Sequence, residues 1–213
     1  DNYIPITLPS KCKQYPEDVK PDGIAIRTTK GKDEKIIAEI TNDNFEKKFL
    51  TLLQSVMKGI DPSILTLGDR KFVMVWLVIN SISPHQPVEL YCQTCYQKIR
   101  VKIDMSQFDV KELPDDLVLP RDVKLSDGKT VSLRLLTVGD EIKVAEMENK
   151  GQNAWVYRYA LSVVPQQPET KVFNIVQELE DLPSSDLAKI RAFHEVYDHG
   201  PVMESDYECE KCG

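Results

Sequence analysis

Four of the five cysteines in this 213-residue chain form two Cys-x-x-Cys pairs. The first pair is Cys92 and Cys95, and the second is Cys209 and Cys212. Two residues between thiols allow both sulfur atoms to bind one ion, and two such pairs complete the tetrahedral shell of a structural zinc site. Because four protein thiolates leave no coordination position for water or substrate, the pattern predicts a zinc ion that stabilises the fold without catalysis.

The residues around the first pair predict a strand, a turn and a second strand. Apolar and basic residues alternate over residues 99–103, as in a half-buried strand. A redox Cys-x-x-Cys pair would instead open a helix, and no helical pattern follows Cys95. A disulfide is the other alternative to zinc, but the chain opens without a secretory signal and is expected in a reducing cytosol. The redox and disulfide alternatives both stay open at this point.

The two pairs lie far apart in the sequence. There are 113 residues between Cys95 and Cys209, whereas a compact zinc ribbon has about 15–20 between its pairs. A single ion with all four ligands would therefore join the middle of the chain to its last residues. The fifth cysteine, Cys12, has no partner at ligand spacing and is predicted to be a partly buried free thiol.

No combination of residues predicts catalysis. The chain has no Gly-rich phosphate loop, no Gly-x-Ser-x-Gly and no His-Glu-x-x-His. His85 lies in a turn, His194 in a helical pattern and His199 at a helix end, where each is expected to be structural. We therefore expect a protein that is not an enzyme and has no small-molecule substrate.

Charge and hydropathy argue against two further classes of function. The chain has 27 Lys and Arg against 34 Asp and Glu, a net charge of −7. Nucleic-acid-binding domains present a basic surface to phosphates, so no nucleic acid partner is expected. The longest apolar run, residues 72–79, has eight residues and is too short to cross a bilayer.

The periodicity of the chain predicts an α+β fold. Small hairpins surround a zinc-ribbon-like site of four cysteines, and a helical lobe is inserted between the two knuckles. A buried helix is predicted at residues 69–82, with a central strand as the alternative, and Asp127-Gly128 predicts the turn of a second hairpin. Residues 42–44 are predicted to cap a helix over residues 45–57. The other predicted helices are residues 32–40, 137–149, 154–164 and 172–182, and one from residue 184.

Four ranges describe the predicted organisation. Residues 1–22 form an extended N-terminal arm, residues 23–136 an α+β domain with the first zinc knuckle, residues 137–200 the helical lobe and residues 201–213 the second knuckle. The arm is rich in proline and is expected to cover a neighbouring subunit at modest entropic cost. Packing of the arm on its own domain is an equally weighted alternative. The predicted partner contacts of the arm are Ile4, Ile6, Leu8 and Tyr15.

Several short phrases occur in an order that resembles a known family. They are residues 8–11 (Leu-Pro-Ser-Lys) with Tyr15-Pro16, residues 24–28 (Ile-Ala-Ile-Arg-Thr), Asp69-Arg70, residues 131–137 ahead of Gly139-Asp140-Glu141, and His199-Gly200-Pro201. Together with both Cys pairs, they resemble the T-even-type phage baseplate hub and tail-assembly family of contractile-tailed phages. The chain departs from that pattern at two places, where Cys12 replaces a glycine and the first knuckle has Gln93, Thr94 and Tyr96 in place of the usual Pro and Gly.

The resemblance implies a structural or assembly role in the baseplate hub, exerted through contacts with other phage baseplate or tail proteins. The protein would then reside in the virion, at the tail baseplate, after assembly in the host cytoplasm. Two alternatives are a tail assembly chaperone that leaves the virion, and a zinc-ribbon adaptor for nucleic acid or transcription. The adaptor would place Lys and Arg around the metal, whereas Glu208 and Glu210 flank Cys209.

Overall fold

The structure is a computed structural model that describes residues 2–204 and 208–213. Helices combine with small antiparallel sheets, so the predicted α+β class is confirmed. In the described residues the helices are α1 (Gly31–Ala38), α2 (Phe45–Val56), α3 (Leu67–Ser81), α4 (Val138–Glu148), α5 (Trp155–Ser162), α6 (Val172–Glu180) and α7 (Ser184–Val196). The strands there are β1 (Ile4–Pro5), β2 (Ala25–Ile26), β3 (Met57–Lys58), β4 (His85–Tyr91), β5 (Lys98–Asp104), β6 (Val110–Lys111), β7 (Arg121–Lys124), β8 (Thr130–Leu133) and β9 (Gly200–Pro201).

A three-stranded antiparallel sheet and two helices enclose the first of the two main hydrophobic cores. The strand order is β1-β2-β3, and Ile26 pairs with Ile4 on one side and with Met57 on the other. Helices α2 and α3 contribute apolar side chains at helical spacing. The buried residues of this first core are Ile6, Leu8, Ile24, Ile26, Phe49, Leu52, Leu53, Val56, Met57, Leu65, Val73, Leu77 and Val138.

The segment predicted as a buried helix at residues 69–82 is the helix α3, and the alternative strand is wrong. Its start is capped by Thr66, whose hydroxyl accepts a hydrogen bond from the N–H of Asp69 at 3.3 Å. Helix α2 starts at Phe45, directly after residues 42–44, which the sequence predicts as its cap. Asn44 precedes it but bonds backbone groups of the preceding turn instead of capping the helix.

The second core lies between the β7–β8 hairpin and the helices α5, α6 and α7. The predicted Asp127-Gly128 turn closes this hairpin, and the N–H of Leu125 bonds the carbonyl of Lys129 at 2.8 Å. Helix α4 packs on both sides, because Val138 at its start is buried in the first core while Val144 packs against Ala154 and Leu161 at α5. The buried residues of the second core are Leu113, Leu117, Leu133, Leu135, Ala160, Ile175, Leu179, Ile190 and Phe193.

The N-terminal residues lie on their own chain as a strap between the two cores. Ile6 and Leu8 are buried in the first core. The removal of their apolar surface from water stabilises the fold. The carbonyl of Pro9 accepts a hydrogen bond from the N–H of Leu113 at 3.0 Å. The side-chain amide of Gln14 bonds both backbone groups of Leu135, at 2.6 and 2.9 Å. Of the two expectations for the arm, packing on its own domain therefore describes these residues.

A buried carboxylate, Asp69, joins the strap to the start of α3. The N–H and hydroxyl of Ser10 donate to its two oxygens at 2.8 and 2.5 Å. The hydroxyl of Tyr15 donates to it as well, and accepts from the N–H of Thr66 at 2.9 Å. Burial, and then the charge of Asp69, raise the pKa of Tyr15 well above its ordinary value. We call the set of Ser10, Tyr15, Thr66, Asp69 and His199 the Asp69 junction.

His199 brings the chain after α7 into the same junction. Its Nδ1 donates to the carbonyl of Tyr197 at 2.9 Å, which leaves Nε2 to accept the hydroxyl proton of Thr66 at 2.7 Å. The ring leaves no room for a side chain at position 68, because a Cβ on Gly68 would lie 2.4 Å from it. Gly200 has φ of +93°, and a Cβ there would lie 2.4 Å from the carbonyl oxygen of Gly68.

Two similar helix starts pair with each other. Residues 66–69 read Thr-Leu-Gly-Asp and residues 137–140 read Thr-Val-Gly-Asp. Thr66 and Thr137 form an antiparallel bridge. The N–H of Leu67 bonds the carbonyl of Leu136 at 3.2 Å, and the N–H of Val138 bonds that of Leu65 at 2.9 Å. The sequence shows them only as two similar motifs, whereas the fold joins them and thereby anchors α4 beside α3.

Two arginines stabilise helix starts in the same way. Each pairs with an aspartate that lies six residues later in the sequence, in the first turn of a helix. Arg27 bonds both oxygens of Asp33 at 2.7 and 3.1 Å, and Arg134 bonds both oxygens of Asp140 at 2.7 and 3.0 Å. Each aspartate is the third residue of its helix and also accepts the N–H of the capping residue. The Arg27 guanidinium holds the pKa of Asp33 well below its usual range. Arg27 is 1% exposed, so this pair is the more deeply buried of the two.

His194 is a buried histidine of the second lobe. Its Nε2 lies 3.1 Å from the hydroxyl oxygen of Ser162, which itself donates to the carbonyl of Tyr159 at 2.7 Å. Because that hydroxyl proton is already used, Nε2 must be the donor. Burial, followed by the positive charges of Arg158 and Arg134, lowers the pKa of His194 to about 4.

Two glycine substitutions are expected to separate backbone strain from crowding. Gly128→Ala places a side chain at a φ of +88° with no atom within 4 Å, and should lower the free energy of unfolding by about 1 kcal/mol. Gly200→Ala adds a clash with the backbone at Gly68 and should cost at least about 2 kcal/mol more. Urea denaturation of both variants measures the difference, and equal losses would contradict the packing at the Asp69 junction.

Acid should weaken the fold through His194 before the aspartates are protonated. The unfolded ring binds a proton below its ordinary pKa of 6.5, while the folded ring does so only near pH 4. Stability is therefore complete above pH 6.5 and is lost as the pH falls towards 4, by about 2 kcal/mol between pH 7 and 4.5.

The matched variant is His194→Gln, whose amide keeps a donor for Ser162 but does not titrate in this range. Urea denaturation at a series of pH values should show that the wild-type protein loses about 2 kcal/mol more than the variant over this interval. Parallel pH profiles for the two proteins would show that His194 does not carry the effect.

Candidate metal centre

The first Cys pair sits in the turn of the hairpin formed by β4 and β5. The two strands pair in register, with Val88 opposite Val101. Side chains on one face are half-buried and those on the other are exposed, as the alternating sequence predicts. The N–H of Cys92 bonds the carbonyl of Gln97 at 3.0 Å, so the turn starts at the first thiol.

Both Cys pairs adopt the same local backbone. The N–H of Tyr96 bonds the carbonyl of Cys92 at 2.9 Å, and the N–H of Gly213 bonds the carbonyl of Cys209 at 2.9 Å. The residue after each second cysteine has a positive φ, +57° at Tyr96 and +80° at Gly213. Tyr96, which replaces the expected glycine, thus adopts the left-handed backbone conformation that glycine adopts most readily. The turn forms there without glycine.

The four thiols come together in space. Cys92 Sγ lies 3.7 Å from Cys212 Sγ, and Cys95 Sγ lies 3.8 Å from Cys209 Sγ. All four sulfur atoms lie within 4.8 Å of one another. Four sulfur atoms at the usual bond length around a tetrahedral zinc ion would be about 3.8 Å apart, whereas a disulfide joins them at about 2 Å. The four cysteines are free and could hold one metal ion.

The charges of the thiols also suit a cation. The backbone N–H groups of Cys95 and Thr94 lower the pKa of the Cys92 thiol to about 6. Hydrogen bonds from the neighbouring thiols Cys209, Cys92 and Cys95 raise the pKa of Cys212 to about 12. Four thiols so close cannot all ionise without a positive charge between them, and a metal ion would replace their shared protons.

Few apolar contacts hold the hairpin tip and the second pair together. Cys92, Ile99 and Cys209 are buried there, with the half-buried Leu90 and Val101 beside them. This cluster is separate from the two main cores. A metal ion bound by all four thiols would therefore supply much of the stabilisation at this end of the molecule.

The predicted partner contacts do not form one exposed surface. Ile6 is 8% and Leu8 2% exposed, and both pack in the first core. Tyr15 packs against that core and belongs to the Asp69 junction. Ile4 alone of the four is largely exposed, at 42%, so the prediction of a partner contact now concerns Ile4.

The Asp69 junction was not predicted from the sequence. Asp69 and His199 appear there as a helix start and a helix end, and neither is assigned an interaction. The signal was nevertheless present, because the phrases around Ser10, Asp69 and His199 are among those that carry the family resemblance.

Comparison with known proteins identifies the family to which the chain belongs. A family model described as T4 bacteriophage base plate protein matches residues 3–213. The chain belongs to this family. No curated protein and no solved structure matches the chain. Within the residues that the structure describes, no helix is long and apolar enough to span a membrane.

Membership of the base plate family indicates a structural phage protein, in line with the predicted lack of enzymatic activity. The family match also explains why the recognised phrases extend along nearly the whole chain. The matched region runs from residue 3 to residue 213 and so includes the strap, both cores and both Cys pairs. The candidate metal centre is therefore a feature within a baseplate protein.

Loss of one buried thiol should abolish metal binding in this protein. Cys209→Ser removes a ligand of the four-thiol cluster, so the bound metal should fall from about one ion per chain to nearly none. Cys12→Ser is the matched control, since Cys12 lies outside the cluster and should leave the metal content unchanged. Elemental analysis of both purified variants tests this, and equal metal contents would contradict the assignment of ligands.

Proposed function

We propose that this protein is a structural component of the phage baseplate hub, and that it acts by binding other baseplate or tail proteins. The observation that carries the proposal is the family match over residues 3–213. The protein would be assembled in the host cytoplasm and remain in the virion at the tail baseplate. Its role would be mechanical and not catalytic.

A structural zinc ion is part of this proposal. Four thiolates at tetrahedral spacing suit zinc, and a closed shell of protein ligands is typical of structural sites. The ligands would be Cys92, Cys95, Cys209 and Cys212, whose sulfur atoms lie within 4.8 Å of one another. Zinc would fix the hairpin of the first pair to the second pair and give the subunit a rigid end for assembly.

Exposed apolar side chains supply candidate contact surfaces for partner proteins. Tyr91 and Tyr96 are 68% and 78% exposed beside the first Cys pair. Aromatic side chains give large contact area at low entropic cost and are enriched in interfaces. Ile4 extends the list at the edge of the three-stranded sheet. These positions are the proposed contacts of the hub subunit.

The charges around the metal centre favour a protein partner over a nucleic acid. Lys98 and Arg100 on β5 both pair with Glu89, at 2.6 and 2.7 Å. Glu208 and Glu210 flank Cys209 in the sequence. Lys98 and Arg100 thus share one acidic partner, whereas nucleic-acid binding would need an unpaired basic surface.

Mass spectrometry of purified tails should find the wild-type protein in the particles, and phage lacking the gene should form no complete baseplate. A protein that is required for tails but absent from them would support the chaperone alternative and contradict the hub proposal. Tails that assemble normally without the gene would exclude both roles. The Cys12→Ser variant should be incorporated like the wild-type protein, while the Cys209→Ser variant should be depleted by about tenfold or more.

A further inference from the structure

A groove of about 970 Å³ lies beside the second core, outside the metal centre. The β7–β8 hairpin forms one wall and α6 the other. Leu125, Ile175 and Leu179 give it an apolar floor. Its size suits several residues of an extended peptide as well as a small ligand.

The strand β8 lines the groove, and the backbone groups along its outer edge are only partly hydrogen-bonded. The N–H of Arg134 bonds the carbonyl of Ser162, and the N–H of Val164 bonds the carbonyl of Ser132, at 2.8 and 2.9 Å. The chain then continues with Pro165, which has no N–H to donate.

Antiparallel pairing makes every second residue of a strand face the same edge. Ser132 and Arg134 bond across the outer edge of β8, so the backbone groups of Thr130 face that edge as well. No strand among the described residues pairs with Thr130 on this side. A segment that enters the groove can therefore extend the sheet next to Thr130.

The charges of the groove are negative. Four carboxylates and one amine line it, and the amine of Lys129 lies 3.3 Å from Asp127. Lys189 pairs with Asp186 at 2.8 Å. Glu178 and Asp181 have no ion pair within the described part of the chain, and they lie at the C-terminal end of α6, where the helix dipole adds further negative potential. The groove is thus complementary to positive charge.

We propose that this groove binds an extended, basic segment of another baseplate protein, which adds a strand at the edge of β8. Backbone hydrogen bonds near Thr130 would set the direction of the segment, and the side chains of Glu178 and Asp181 would select Lys or Arg over acidic residues. The inference rests on the proposed function, in which the chain acts by binding baseplate proteins, and it names one surface and one kind of partner.

The direct test uses a fluorescein-labelled peptide of alternating valine and arginine, six residues long, with blocked termini. Fluorescence anisotropy should show binding, and Glu178→Lys should weaken the affinity by about tenfold. The matched control is Glu180→Lys, which makes the same charge change on the same helix but outside the groove lining. A peptide with glutamate in place of arginine should not bind.

Equal weakening by both substitutions would show that the peptide is attracted only by the net charge of the protein, and this would overturn the proposal. No binding by the wild-type protein would overturn it as well. Amide chemical shifts in NMR spectra provide the second readout. Those of Thr130 and Ser132 should change on binding, while that of Val101 in the metal-site hairpin should not. Circular dichroism confirms that both variants are folded.

A tail-incorporation experiment separates this inference from the proposed function. Mass spectrometry would compare tails from phages that carry wild-type, Glu178→Lys and Glu180→Lys forms. Depletion of Glu178→Lys alone supports the groove. Equal incorporation of all three overturns the groove and leaves the hub function standing, whereas absence of the wild-type protein overturns the hub function itself.

Discussion

The structure depends on satisfying one buried carboxylate, that of Asp69. A charged group without contact with water is costly unless donors surround it. Ser10 and Tyr15 supply three hydrogen bonds to the carboxylate of Asp69 from the strap. The backbone N–H of Asp69 donates to the hydroxyl of Thr66, which in turn donates to His199 after α7. Because the bonded residues of the junction come from three distant parts of the chain, the fold must bring all three together. The Asp69 junction therefore fixes relations that the hydrophobic cores alone would leave free.

The metal centre takes its position from this junction. Helix α3 starts at the junction and ends just before β4, which leads to Cys92. The second Cys pair follows β9, whose Gly200 packs directly on the backbone of Gly68 at the start of α3. Both routes to the four thiols therefore begin at the same buried point. An ion bound by all four thiols would add a second link between the segments that already pack together at the start of α3.

Local patterns predicted the elements, but long-range contacts set their arrangement. Hydrophobic spacing identified α3, Asp-Gly identified the β7–β8 turn, and the Cys-x-x-Cys spacing identified the four clustered thiols. The destination of Ile6 could not be predicted, since a proline-rich segment with apolar residues suits its own core or a partner equally well. The contact of α4 with the first core could not be predicted either, because the bridge between Thr66 and Thr137 joins segments far apart in the sequence.

The two departures from the family pattern fall at positions where the backbone itself favours glycine. Cys12 has φ of +58° and Tyr96 has φ of +57°, and a side chain there costs on the order of 1–2 kcal/mol. Each bend is supported by neighbouring contacts, since the N–H of Cys12 bonds the hydroxyl of Ser10 and that of Tyr96 bonds the carbonyl of Cys92. One bend adjoins the Asp69 junction and the other adjoins the thiol cluster. The strain thus lies beside two sites that contacts between distant segments hold together, where the surrounding structure can hold the bend without glycine.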